Sequence, residues 1–189
     1  SVLRSKDFES AGFQGSGIGS LEFKDLIVPE KNLIGFEAQA SELLSNIETE
    51  RNIHLSNIAL GIAIAAYEKS RKYSSERVIE GKPIARIQGV HFKIAEMKVE
   101  IETTELLVNR SAWSYEKGIK SEDLGRCSRL MSSRMAKRVA DEAMQVFGAW
   151  GFTDRYGIDS IYQNARAFAL IEDSDEKIRE KIAFELLGF

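Results

Sequence analysis

Two periodicities divide this chain. Over residues 15–35 the apolar positions alternate with polar ones: Leu21 and Phe23 flank Glu22, Lys24 follows, and Ile27 and Val28 come before Pro29. A period of two bounded by glycines and a proline predicts short strands and turns. From about residue 37 the period becomes helical. The stretch 36–77 predicts one long helix with an apolar patch at 58–67 and basic residues toward its end. "GKPI" at 81–84 interrupts it, and Pro83 suits the first turn of a second helix. In that helix Ile87, Val90, Ile94, Met97, Ile101, Val108, Ala112 and Tyr115 recur in helical steps and predict a buried stripe. Residues 116–123 predict a turn, with Ser121 as N-cap of a third helix. Leu124, Met131, Met135, Val139, Ala143 and Val146 share a face of that helix. A glycine-bearing turn at 147–157 precedes a fourth helix at about 159–171 and a fifth at about 174–187. The fold class is therefore mainly α: an antiparallel bundle of long helices over 36–189, preceded by a short β segment over 1–35 that must lean on something else.

The 189 residues suffice for one core, and 43% hydrophobic with 29% charged residues is ordinary for a globular protein. A net charge of −3 with no basic block argues against nucleic acid or an anionic membrane as partner. One cysteine and two histidines leave no disulfide framework and no zinc-ligand set. The most apolar run, 57–67, is too short to span a bilayer. The chain shows no signal peptide and is expected in the cytoplasm or an organelle matrix, not secreted. It begins at Ser1 without an initiator methionine, as a processed start or a piece of a longer chain would.

Four stretches carry candidate chemistry. "GFQGSGIGS" at 12–20 has glycines, but their spacing is not that of a phosphate loop and no helix follows, so it predicts a turn cluster. "ERVIEGKPIARIQ" at 76–88 is a basic helix end and a new helix start, or a basic site. "QVFGAWGF" at 145–152 is a helix stop, or a place where glycine lets a backbone approach a ligand. "ALIEDSDEKIRE" at 169–180 sets Glu172 at a helix junction. Asp173 or Ser174 suits the N-cap of the last helix, Asp173 with Glu176 makes a pair like a capping box, and Asp175 complements the helix dipole. None of this requires Glu172. It is either the first of several solvated charges or a carboxylate facing a cleft, where desolvation raises its pKa and makes it a base.

Taken in order, these stretches resemble the C-terminal part of the acyl-CoA dehydrogenase family. "GSGIGSLEFKDLIVPEKNLIG" resembles the end of the family's middle β-domain. "ALGIAIAAYEKSRKYSSER", "GKPIARIQGVHFKIAEM", "AMQVFGAWGF" and "NARAFALIEDSDEKIR" resemble successive parts of its helical domain. The resemblance implies oxidation of acyl-CoA thioesters to 2,3-enoyl-CoA with FAD as cofactor. It makes Glu172 the base that removes the α-proton, with Glu50 in reserve because some members carry the base on the first helix. It puts Arg77, Gln88, Gln145 and Gly148 at the adenosine–pyrophosphate of a neighbouring subunit's FAD, gives Ser174 to the cofactor, and sets a helix-one arginine near Arg51. It implies a homo-oligomer, dimer or tetramer, and an electron-transfer acceptor. No metal, nucleic acid or membrane is implied. The family's N-terminal domain and most of its β-domain have no counterpart here, so a complete site calls for a longer chain or a separate chain that carries them. A second reading stays open: a non-catalytic helical assembly protein descended from the family. Glu80, Ala149, Trp150 and Asp173, which depart from the family pattern, favour it. The retained Arg77, Gln88, Gln145 and Glu172 favour the enzyme.

Overall fold

A computed structural model describes residues 2–4, 8–35, 40–119 and 122–188. Strands β1 (Val2–Arg4) and β2 (Leu21–Phe23) pair antiparallel, with Val2 opposite Phe23. Helices α1 (Ala40–Glu76), α2 (Gln88–Glu116) and α3 (Glu122–Phe147) form the bundle, and α4 (Ile158–Phe168) and α5 (Asp175–Leu187) close one side of it.

The core is built from small residues on α1 and α3. Ala59, Ala63 and Ala66 of α1 and Ala136, Ala140 and Ala143 of α3 are fully buried in one cluster. Two buried serines of α1 serve the same packing because their hydroxyls turn back onto their own helix. Ser56 Oγ donates to Asn52 O at 2.7 Å and Ser70 Oγ to Ala66 O at 2.8 Å, so a polar atom enters the core without loss of a partner. Met97, Ile101 and Val108 of α2, Met135 and Phe147 of α3, and Ile158 and Phe168 of α4 fill the remaining volume.

Three expectations need correction. Pro83 does not open the second helix. It ends a two-residue strand β4 (Lys82–Pro83) that pairs with β3 (Val78–Ile79). The turn between them, Glu80–Gly81, has φ of +50° and +77°. Two consecutive positive φ values define the hairpin turn that matches strand twist. The short helix Ile84–Arg86 follows, and α2 begins only at Gln88. The buried stripe of α2 is also narrower than expected: Met97, Ile101 and Val108 are buried, but Ile87 precedes the helix and Tyr115 is exposed. Thr104, Ser111 and Ser114 complete the buried face instead. On α3, Met131 is exposed for the same reason, a slow drift of the face along a helix of 3.6 residues per turn. Ser121 lies outside the described residues.

The β segment rests on α4. The Phe13 N–H donates to Asn164 Oδ1 at 2.7 Å. A Cβ on Gly12 would lie 2.7 Å from both Ala167 Cβ and Gln163 O, so only glycine permits this approach.

Candidate active site

Helix α4 stops at Phe168 and α5 starts at Asp175, leaving a tight junction around Glu172. Glu172 has a φ of +58°, a left-handed conformation that costs a non-glycine residue roughly 1–2 kcal/mol. The surrounding contacts hold it there. Asp175 N–H donates to Ala169 O at 3.2 Å and closes the loop. Ser174, not Asp173, caps α5: its Oγ accepts from Lys177 N at 3.3 Å. The capping-box expectation for Asp173 and Glu176 therefore fails, because the cap falls one residue later and Lys177 holds the third helical position. Asp173 instead accepts from Lys181 Nζ at 2.6 Å, and that hydrogen bond holds its carboxyl below the usual carboxylate range. Asp175 is buried and accepts from Lys137 Nζ at 2.8 Å.

Beneath the junction sits Arg129, 1% exposed. Its guanidinium lies 3.8 Å from the centre of the Phe168 ring and donates to Phe168 O at 2.9 Å. Burial pushes its pKa down to about 10, against the pull of Asp175, Glu172 and Asp173, so it remains a cation at neutral pH. A buried cation at the C-terminal end of α4 satisfies carbonyls that the helix leaves unpaired and complements its dipole.

Glu172 lines a cleft of about 380 Å³ with Phe13 and Ile18 of the β segment and Ala167, Leu170 and Ile171 of the helical layer. One carboxylate oxygen lies 2.6 Å from Arg51 Nε on α1. The Glu172 side chain is 44% exposed, between the two readings of a solvated charge and a carboxylate facing a cleft. Glu50 points elsewhere. One step along α1 turns it by about 100°, and it accepts from Tyr115 OH at 3.4 Å on α2. The structure thus brings Arg51 to Glu172 and leaves Glu50 on another face.

Arg77, Gln88, Gln145 and Gly148 stand at the other end of the bundle. Arg77 follows α1 and its N–H donates to Tyr73 O at 2.8 Å. The Tyr73 ring stacks on Phe147, the last residue of α3, at 4.1 Å between centres. Gly148 comes next, with a φ of +58° and open space where a Cβ would stand. Gln145 and Gln88, the first residue of α2, are exposed. Among the described residues, Arg77 has no carboxylate partner. A free guanidinium, two exposed amides and an unobstructed glycine backbone form a donor set that suits a diphosphate. Ser174 is not in this group; it lies at the Glu172 end. From Arg51 to Glu76 is 25 residues of α1, so the two ends are about 38 Å apart.

Sequence reasoning missed Arg129 and the ion pairs of Lys137 and Lys181. A signal for Arg129 was present: it falls in the helical register of Ala136, Ala140, Ala143 and Phe147, a charge on a buried face. Among the described residues no cluster could hold a metal and no helix is long and apolar enough to cross a membrane.

These features define a helical domain equipped at both ends, with a carboxylate in an open cleft at one and a polar, glycine-bearing rim at the other. The family model "Acyl-CoA dehydrogenase, C-terminal domain" matches residues 43–187, and the chain belongs to the acyl-CoA dehydrogenase family. It is 30% identical over 181 residues to a probable acyl-CoA dehydrogenase of Bacillus subtilis, covering 95% of this chain and 47% of that protein. It is 30% identical over 171 residues to a short-chain specific acyl-CoA dehydrogenase of Megasphaera elsdenii, covering 90% of this chain and 45% of that one. The structure of butyryl-CoA dehydrogenase from Megasphaera elsdenii superposes with a TM-score of 0.94 at 29% identity, over 98% of this chain and 49% of that one. The chain spans about half the length of the curated relatives it matches.

Proposed function

We propose that this chain is the C-terminal part of an FAD-dependent acyl-CoA dehydrogenase, with residues 1–35 as the end of the middle β-domain and Glu172 as the base that takes the α-proton of an acyl-CoA thioester. The observation that carries this reading is the placement of Glu172. It stands on a strained backbone, at the edge of a largely apolar cleft, on a junction held by Arg129, Lys137 and Lys181. Strain retained where the surrounding structure over-determines it points to function.

The residues do the following work. Arg51 orients the Glu172 carboxylate across the cleft. Phe13, Ile18, Leu170 and Ile171 offer the apolar surface that an acyl chain needs. Arg77, Gln88, Gln145 and the Gly148 backbone would hold the adenosine–pyrophosphate part of FAD, and Ser174 would stand on the side of the reacting group. FAD, when bound, supplies the oxidising centre that takes up the hydride from the β-carbon. Glu172 accepts the α-proton, so the C–H electron pair becomes part of the new 2,3-double bond. Because the two groups of residues lie at opposite ends of α1, those of one copy would serve different flavins, which calls for a homo-oligomer. The activity also calls for an electron acceptor, and for the remaining domains on the same or a separate chain.

The Glu172–Arg51 ion pair also favours a second reading, in which the junction is purely structural in a non-catalytic assembly protein. One experiment separates the two: visible absorption of the chain with and without FAD after removal of excess, then turnover of short acyl-CoA thioesters in the enzyme assembled with the remaining domains. Retained flavin, and turnover lost in Glu172→Gln, support the proposal. Turnover unchanged in Glu172→Gln removes Glu172 as the base; no flavin in the complete assembly favours the structural reading.

A further inference from the structure

Glu172 keeps its side chain on a left-handed backbone, φ +58°, which a residue with a Cβ disfavours. The angle φ is a rotation about the bond from the Glu172 nitrogen to its Cα. Relaxing it turns either the Ile171–Glu172 peptide or the chain that follows. The following chain is tied: Asp175 N–H donates to Ala169 O at 3.2 Å, and the buried Asp175 carboxylate accepts from Lys137 Nζ. The preceding peptide meets Arg129, whose Nη2 lies 2.9 Å from Phe168 O and 3.5 Å from Ile171 O. Ile171 O belongs to the peptide whose rotation would relieve φ at Glu172. The guanidinium is a fixed donor, being 1% exposed and 3.8 Å from the centre of the Phe168 ring.

We infer that Arg129 is a positioning residue: it pins the Ile171–Glu172 peptide and so aims the Glu172 carboxylate, without touching the substrate. This rests on the reading of Glu172 as the base. With both flanks of Glu172 tied, its Cβ has one direction, and the carboxylate arrives 2.6 Å from Arg51 Nε at the edge of the cleft. The choice of residue supports the role. Among the described residues Arg129 Nη1 is buried without a hydrogen-bond partner, so the cation is desolvated and only partly satisfied. A side chain needed only to fill the space over Phe168 would be apolar, because burying a charge costs more than burying a methylene chain. The guanidinium instead presents a donor to two successive carbonyl sites of the junction, a geometry that its planar fork suits. Strain held by such a brace beside a reacting group is the pattern of a preorganised site.

Arg129→Met and Arg129→Lys test it, with Ile101→Ala as control. Met keeps the apolar stem and cannot donate, whereas Lys keeps a charged donor. Ile101 is buried on α2, which forms no part of the junction, so its truncation lowers stability alone. Crystal structures of the chain are expected to show Glu172 out of the left-handed region in Arg129→Met and within it in Arg129→Lys. In the enzyme assembled with the remaining domains, Arg129→Met should lower kcat about 10²-fold with KM for a short acyl-CoA thioester within about twofold of the parent. Arg129→Lys should recover most of that loss, and Ile101→Ala should keep the parental kcat despite a lower urea midpoint. Should Arg129→Met fail to fold by circular dichroism, Arg129→Gln, neutral and too short to reach both carbonyls, takes its place with the same outcomes. A parental kcat or an unchanged Glu172 φ in the neutral variant overturns the inference. So does an equal kcat loss in Ile101→Ala, which would assign the effect to stability. Full turnover in Glu172→Gln overturns the reading of Glu172 as the base, and the positioning role falls with it; an inactive Glu172→Gln beside a fully active Arg129→Met overturns the positioning role alone.

Discussion

Glu80 and Glu172 both hold a side chain on a left-handed backbone, at opposite ends of the bundle. At Glu80 the conformation serves only the hairpin turn, where asparagine before glycine is the favoured pair. Glu80→Asn is therefore expected to raise stability by about 0.5–1 kcal/mol. The check is the urea midpoint at unchanged slope, and a lower midpoint would show that the Glu80 side chain makes a contact that offsets the backbone cost. At Glu172 the same conformation falls in the junction beside the buried Arg129, which donates to Phe168 O. Arg129→Met keeps the apolar stem but leaves the Phe168 carbonyl unsatisfied and removes a buried cation that Asp175, Glu172 and Asp173 attract. A loss of about 3 kcal/mol is expected in denaturant unfolding; a loss under 1 kcal/mol would mean that water replaces the guanidinium. Glu172→Gln, by contrast, should leave stability within about 0.5 kcal/mol, since its ion pair is partly exposed. In the complete enzyme it should lower the rate by 10²-fold or more, the scale of general-base catalysis.

Among the elements, α5 is held to α1 by Lys181, whose ammonium donates to Glu48 at 3.0 Å and to Asp173 at 2.6 Å. Burial alone would raise the Glu48 carboxyl, but Lys181 and Arg126 outweigh it and hold it below its ordinary value. Burial likewise pulls against the Lys181 charge, and the two carboxylates outweigh that, so its pKa is raised. For the depressed carboxylates the stabilisation is present above their ordinary values of 4.5 and 3.8 and disappears as pH falls through the folded values. For the raised Lys181 it is present below 10.5 and disappears as pH climbs through the folded value. Lys181→Met should thus cost about 1–2 kcal/mol at pH 7, and the gap to the parent should narrow as pH falls below the ordinary carboxylate values. A gap that persists in acid would assign the loss to packing. None of this clamp was legible in the sequence, because charges some 130 residues apart carry no periodicity. The helices were legible because apolar spacing of 3.6 extends over many turns. Their ends were less so: Pro83 fits a helix start as well as a strand end, and only the Glu80–Gly81 turn decides between them. Glu172 stood out as a carboxylate that no cap required. The resemblance pointed to Arg51, but its pairing with Glu172 was not legible, since pairing of a junction with the flank of a distant helix depends on how α1 crosses α4.

At the scale of the whole molecule, the separation of about 38 Å between the Glu172 and Arg77 ends decides how a complete enzyme must be assembled. If each flavin takes its base from one copy and its diphosphate donors from another, two different defects can compensate. A copy with Arg77→Glu still presents an intact Glu172, and a copy with Glu172→Gln still presents an intact Arg77. In a symmetric pair made of one of each, one of the two sites is intact and the other carries both defects. Equal mixing forms mixed pairs about half the time, so roughly a quarter of parental turnover should return after the two inactive enzymes are dissociated and reassembled together. Each variant reassembled alone should stay inactive. If activity does not return on mixing, although mixed assemblies are demonstrated by differential tagging, then both groups act within one copy. In that case the bundle would have to bend or the site would have to be built elsewhere. If activity does return, the helical domain works as a shared wall, and its two equipped ends belong to two different active sites.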